Sequence, residues 1–187
     1  MTDSRNLARR HFLRRTGGLA LGAGLTALAP RLALANVPGA RSLALDHTHT
    51  GEHLSLVYAM GEQILPKAHV TLNRFLRDHY SGHVGTIDPG LFDVLSELHR
   101  VLGADQPFQV ISGYRSPFTN ARLRSTRGGG VAKHSLHMDG KAIDIRLPGV
   151  PLADLRDAAV SLQAGGVGYY SAENFVHVDT GRVRRWG

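Results

Sequence analysis

Gly165-Gly166-Val167-Gly168-Tyr169-Tyr170-Ser171-Ala172-Glu173-Asn174-Phe175-Val176-His177-Val178-Asp179-Thr180 is the stretch whose reading decides the fold. Val167 to Tyr170 and Phe175 to Thr180 have strand character and lie so close in the chain that they predict an antiparallel pair. The two-residue period puts His177 and Asp179 on one side of the second strand and Val176 and Val178 on the other. Working back along the chain, Ala142 to Arg146 and Phe108 to Ile111 read as further strands. Leu43-Ala44-Leu45 and Leu54-Ser55-Leu56-Val57-Tyr58 flank Thr50-Gly51 and read as an early hairpin. Helices are expected over Pro66 to Asp78, from the Asp88-Pro89 start signal to Gly103, from Ser116-Pro117 toward Arg127, and over Leu152 to Gln163. The sum predicts an α+β fold with a small, mostly antiparallel sheet packed with helices.

The chain has 187 residues, 42% of them hydrophobic and 20% charged, an ordinary globular composition. With no cysteine it has no disulfide framework, thiolate metal site or cysteine nucleophile, so a metal would have to sit on carboxylates and some of the 11 histidines. The net charge of +7 does not argue for nucleic acid, because its excess is local. Residues 1–35 carry six arginines and one acid, leaving +2 for the rest. Arg9-Arg10-His11-Phe12-Leu13-Arg14, an uncharged Thr16 to Pro30 and Ala33-Leu34-Ala35 read as the charged, apolar and cleavage regions of an export signal, and the paired arginines before Phe12-Leu13 resemble the twin-arginine type. The uncharged run is glycine-rich and shorter than the roughly 18 to 20 apolar residues of a spanning helix, so no permanent membrane span is expected. Residues 36–187 are then a single domain, exported to the periplasm by the twin-arginine machinery.

Chemistry concentrates in Ser135-Leu136-His137-Met138-Asp139-Gly140-Lys141-Ala142-Ile143-Asp144-Ile145. Ile143 and Ile145 share one strand face, and Asp144 lies on the other with Ala142 and Arg146. His137 precedes a glycine turn and can fold back over that polar face. With His177 one strand later, two histidines and a carboxylate converge, which leaves a fourth position open as in a catalytic zinc site. From spacing alone two readings stand, because strand histidines are usually surface or hydrogen-bonded core residues.

Several further motifs occur in fixed order. They are Ser112-Gly113-Tyr114-Arg115-Ser116, Gly130-Val131-Ala132-Lys133, Ser135-x-His137-x-x-Gly140-x-Ala142-x-Asp144, and Gly165 to Tyr170 followed by Asn174 to Gly181. Together with His49-Thr50-Gly51-Glu52, Leu72-Asn73-x-Phe75 and Asp88 to Asp93, they resemble the murein endopeptidase K group of the zinc D-Ala-D-Ala peptidase family over essentially the whole chain. The resemblance implies the D-Ala-D-Ala peptidase/hedgehog-like fold. It also implies a periplasmic metallopeptidase that cuts peptide cross-links of peptidoglycan, with one zinc per chain on His137, Asp144 and His177.

Many relatives carry an acid three positions before the last zinc histidine. Here that position is Asn174, so the general base has to come from elsewhere. Asp179 is the first candidate and Glu173, on the loop side, the second; the competing role for Asp179 is to hold a histidine ring. The resemblance gives Arg115 a catalytic role at substrate or transition-state oxygen, and Ser135 is a substrate-binding candidate. His134 is a weaker acid–base alternative. His47, His49 and His53 are expected on a solvated hairpin, Arg122, Arg124 and Arg127 on a solvated helix face, and Tyr169 and Tyr170 in strand packing. Two other functions compete with the endopeptidase: a non-catalytic, zinc-containing wall-binding module and a D-Ala-D-Ala carboxypeptidase.

Overall fold

The alternation that predicts the hairpin governs the first two strands, β1 (Ala40–His47) and β2 (His53–Met60), which pair antiparallel with a bulge at Arg41/Ser42. The computed structural model describes residues 37–126 and 131–187. The expected export signal and Arg127 lie outside these residues. Among the described residues no helix is long and apolar enough to cross a membrane.

After the two-residue β3 (Gln63–Ile64) come helices α1 (Pro66–Phe75) and α2 (Pro89–Leu102). Proline opens both, at a position where its missing N–H costs nothing. Asp88 caps α2 by accepting from the Gly90 N–H at 3.0 Å, a contact typically worth about 1 kcal/mol. Gly103, left-handed at φ 58°, ends that helix. Strand β4 (Phe108–Ser112) leads to α3 (Pro117–Thr126), whose start is fixed by the Thr119 N–H donating to Ser116 Oγ at 3.2 Å. Then follow β5 (Ala142–Arg146), α4 (Leu152–Ser161), β6 (Gly166–Tyr170), β7 (Phe175–Asp179) and β8 (Arg184–Trp186).

All eight strands join one sheet in the order β3-β2-β1-β4-β5-β7-β6-β8. The expectation of a small, mostly antiparallel sheet holds in part: most neighbours are antiparallel, but the sheet has eight strands. The sheet is mixed, because β1 pairs with β4 and β6 with β8 in parallel, while the other neighbours run antiparallel. The β6–β7 pair is antiparallel, as its short connection requires. Leu72 and Phe75 of α1, Leu91, Phe92, Leu95 and Leu98 of α2, and Leu155 of α4 pack with Leu43, Leu45, Phe108, Val110, Ile143, Ile145, Val176 and Val178 in one core. Alternation then turns Asp144 and His177 to the opposite side, where α3 contributes Leu123 to a cleft.

His47 also departs from expectation. It continues the inward series Leu43, Leu45, and is buried at 2% exposure, edge-on to Phe75 and His79 at ring distances of 5.9 and 5.6 Å. His49 and His53 are exposed, as expected of the hairpin. Burial, reinforced by neighbouring His49, pushes the His47 pKa down to about 4, and burial does the same to His79. Unfolded, both rings take up protons from about pH 6.5, so between there and about pH 4 the unfolded state binds the extra protons. Stability is therefore full above that window and declines through it as pH falls. The slope is at most about 1.4 kcal/mol per pH unit for His47 and smaller for the more exposed His79. The change in urea midpoint between about pH 7 and about pH 4.5 is expected to be less unfavourable in a His47→Gln chain than in the unaltered one; the same change in both would contradict the neutral, buried His47.

Candidate metal centre

The loop before β5 is shaped by Gly140, which sits at φ 66° where a Cβ would lie 1.9 Å from the Thr86 carbonyl oxygen. This turn folds His137 back over β5. The Arg115 N–H donates to the His137 carbonyl at 3.1 Å, and His137 Nδ1 lies 2.7 Å from the Gly113 carbonyl. A carbonyl can only accept, so Nδ1 carries a proton, and in the neutral ring the lone pair is on Nε2, which faces the cluster. On the sheet, Asp144 of β5 and His177 of β7 are direct cross-strand partners. His177 Nδ1 is 2.8 Å from Asp144 Oδ1, and His137 Nε2 is 3.2 Å from both. All three residues are buried, and one donor atom from each lies within 4.8 Å of the others.

The electrostatics of the cluster call for positive charge. Burial disfavours ionisation of Asp144, yet the adjoining His137 and hydrogen bonds from both histidines hold its pKa well below the usual carboxylate range. Burial likewise opposes charge on His177, and hydrogen bonds to Asp144 and Asp179 outweigh it and raise the pKa. Two imidazole nitrogens and a carboxylate oxygen, held by outer hydrogen bonds and close to one another at the edge of the cleft, could hold a divalent metal ion.

Asp179 stands behind His177. Its Oδ2 is 3.2 Å from His177 Nε2, the ring atom opposite the cluster, and it is only 1% exposed. Its Oδ1 accepts from the Gly166 and Gly181 N–H groups, both at 2.9 Å, and Arg184 donates to both oxygens at 3.1 and 2.7 Å. Burial opposes ionisation here too, but the bonds from His177, Arg184 and the two amides lower the pKa far below normal.

The centre opens into a cleft of about 630 Å³. Arg115, Ser135, His134 and Glu173 all line it, so the structure brings these sequence candidates together with the cluster. Arg115 Nη2 is 3.9 Å from Asp144 Oδ2, and Nη1 is 3.5 Å from Asn120 Oδ1. Asn174 occupies the β6–β7 turn at φ 57°, a backbone position that asparagine tolerates well. Tyr170 stacks on Phe175 at 4.6 Å along the cleft wall, whereas Tyr169 packs on the core beneath Arg156. Arg122 and Arg124 are exposed, with the Arg122 guanidinium 5.7 Å from the Tyr80 ring.

The sequence reading missed three contributors. Asp78, 1% exposed, accepts from the Ser116 N–H at 2.9 Å and hydroxyl at 2.6 Å and so anchors the loop that carries Arg115. Arg184 and Trp186 arrive on β8, and the Trp186 ring lies 5.3 Å from that of His177. A signal for them existed. Glycine at alternate positions of a strand marks a close approach, and a Cβ on Gly168 would lie 2.6 Å from the Trp186 ring.

A buried His–Asp–His group at the floor of an open cleft could hold a metal ion, a donor set of the class that hydrolytic metal sites use. A family profile described as peptidoglycan L,D-endopeptidase MepK matches residues 35–186, and the chain belongs to that family. It is 45% identical over 179 residues to the peptidoglycan L,D-endopeptidase MepK of Escherichia coli, covering 96% of this chain and 97% of the relative. The Shigella flexneri protein of the same name matches equally. The Haemophilus influenzae protein, described as a probable peptidoglycan L,D-endopeptidase MepK, is 42% identical over 171 residues, 91% of each chain.

Proposed function

We propose that this chain is a zinc-dependent endopeptidase that hydrolyses an L,D-peptide cross-link of peptidoglycan in the periplasm, on a D-Ala-D-Ala peptidase/hedgehog-like fold. The observation that carries the reading is the His137–Asp144–His177 group facing an open cleft, in a chain so similar to proteins named for that activity. One zinc ion on these residues would supply the Lewis acidity that polarises an amide carbonyl and makes water acidic near neutral pH. With a metal in place of the shared protons, His137 would offer Nε2 and His177 would offer Nδ1, each ring held through its other nitrogen by Gly113 or Asp179, and Asp144 would supply the negative charge.

Hydrolysis also needs a group that takes a proton from water and returns it to the departing amine. Among the described residues three carboxylates line the cleft: Asp78, Asp144 and Glu173. Asp78 is spent on the Ser116 loop and Asp144 on the cluster, so Glu173 takes the acid–base role. Asp179, first in line from the sequence, acts through His177 instead; its burial and its position behind the ring support this. Arg115 supplies fixed charge for oxygen at the reacting carbonyl, and Ser135 offers a hydroxyl to the peptide. A Glu173→Gln chain is expected to keep its metal and lose about 10²- to 10⁴-fold in rate. Asp179→Asn is expected to lose metal affinity by about 10- to 100-fold. The reverse pattern, read by elemental analysis beside turnover, would return the proton transfer to Asp179.

Digestion of purified cross-linked muropeptides with the metal-loaded chain, beside a chelated control, tests the function. Loss of dimers is the expected result. Loss of terminal D-Ala alone would make the chain a carboxypeptidase, and no change would make it a wall-binding module. For localisation, Arg9-Arg10 and Ala33-Leu34-Ala35 support export by the twin-arginine machinery and a product beginning near Asn36. Replacing Arg9 and Arg10 by lysine should leave the chain in the cytoplasm. Undiminished export of that variant would remove this route.

A further inference from the structure

Arg184 lies on the last strand, at the sheet edge, where β8 pairs in parallel with β6 and Gly166 is its cross-strand partner. The space between them is full: a Cβ on Gly166 would lie 2.5 Å from both Arg184 Nη1 and Asp179 Oδ2. Two backbone amides, of Gly166 and Gly181, hold Asp179 Oδ1 and make it a pivot. They do not fix the plane of the carboxylate. That plane is set by Arg184, whose Nη1 donates to Oδ1 at 3.1 Å and whose Nη2 donates to Oδ2 at 2.7 Å. Oδ2 is the atom that meets His177 Nε2.

We propose that Arg184 is a positioning residue of the metal centre: its fork orients the Asp179 carboxylate, which in turn holds His177 with Nδ1 facing Asp144 and His137. The inference rests on the reading of His177 as a metal ligand. The planar guanidinium matches a carboxylate through two parallel bonds, which a lysine ammonium cannot do. Arg184 reaches the cleft wall, but Nη1 and Nη2 already donate to Asp179 and Nη1 also to the Arg182 carbonyl at 3.0 Å. Its guanidinium carbon lies 4.9 Å from the Trp186 ring, which in turn flanks His177. Asp179 thus meets the ring at the nitrogen away from the cluster, with Arg184 gripping that carboxylate and Trp186 beside the ring.

The test compares zinc affinity, by competition with a chromophoric chelator, for the unaltered chain and for Arg184→Met, Arg184→Lys, Asp179→Asn and the Arg184→Met/Asp179→Asn double variant. Cobalt(II) absorption spectra are recorded alongside as a report on ligand geometry. Loss of an outer partner typically costs about 10- to 100-fold in metal affinity, and a loss of that order is expected for Arg184→Met. Arg184→Lys should recover part of it. The double variant should be no worse than Asp179→Asn alone, because the arginine acts only through the aspartate. Wild-type zinc affinity and an unchanged cobalt spectrum in Arg184→Met would overturn the proposal, as would losses that multiply in the double variant. A raised KM with metal affinity intact would overturn it in favour of a substrate contact. Should Arg184→Met not fold, Arg184→Lys carries the test, with reduced affinity expected and unchanged affinity overturning the proposal. An unaltered chain that binds no zinc would sink the metal reading itself, a result distinct from a zinc-binding chain indifferent to position 184.

Discussion

His177→Ala and His137→Ala chains are expected to lose stoichiometric metal and to leave cross-linked dimers intact. Each histidine contributes a nitrogen that an outer hydrogen bond has already aimed, His137 through the Gly113 carbonyl and His177 through Asp179. Removing either leaves two donors where three converge, and leaves Asp144 buried with less compensation for its charge. The loss in metal affinity should exceed the roughly 10²-fold upper range for an outer partner, since here a ligand itself is gone. Elemental analysis of each purified variant, together with product analysis of a dimer digest, gives both readings. A variant that kept one metal per chain and normal turnover would exclude that histidine from the centre.

The second large effect is expected at Arg115. Its guanidinium is held by position, on a loop that Asp78 anchors through Ser116 and that His137 meets through the Arg115 N–H. A charge fixed in advance at the place where negative oxygen develops costs no reorganisation during reaction, and deleting one such donor typically costs about 10²- to 10³-fold in kcat. Arg115→Ala should show a loss of that size with metal content unchanged. Arg115→Lys should recover little, because a mobile ammonium does not reproduce the planar fork. A KM effect alone would reduce Arg115 to ground-state binding.

The strands that carry the centre were legible because their alternation is local. Ile143 and Ile145 point into the core and Asp144 away from it, and His177 and Asp179 share a side, as the period of two requires. The same period told that Asp179 lies near His177. It could not tell which ring nitrogen the carboxylate meets, and that detail separates a proton acceptor from a residue holding the ring. The parallel pairings of β1 with β4 and β6 with β8 join segments by tertiary contact, with no turn signal between them to read. In β8, Arg184-Arg185-Trp186 is too short and too charged to stand out as a strand, so the residues framing His177 stayed hidden. His47 was misplaced for a different reason: it was read with its polar neighbours, although it continues the inward series of Leu43 and Leu45.

A restoration titration tests the metal dependence of cross-link cleavage most directly. The chain is stripped with chelator, freed of chelator, and assayed on L,D-cross-linked dimers as zinc is added back. Cleavage is expected to be absent at the start, to rise in proportion to added metal, and to level off at one equivalent per chain. Dimer cleavage at full rate in the stripped chain, or none at any zinc content, would contradict it.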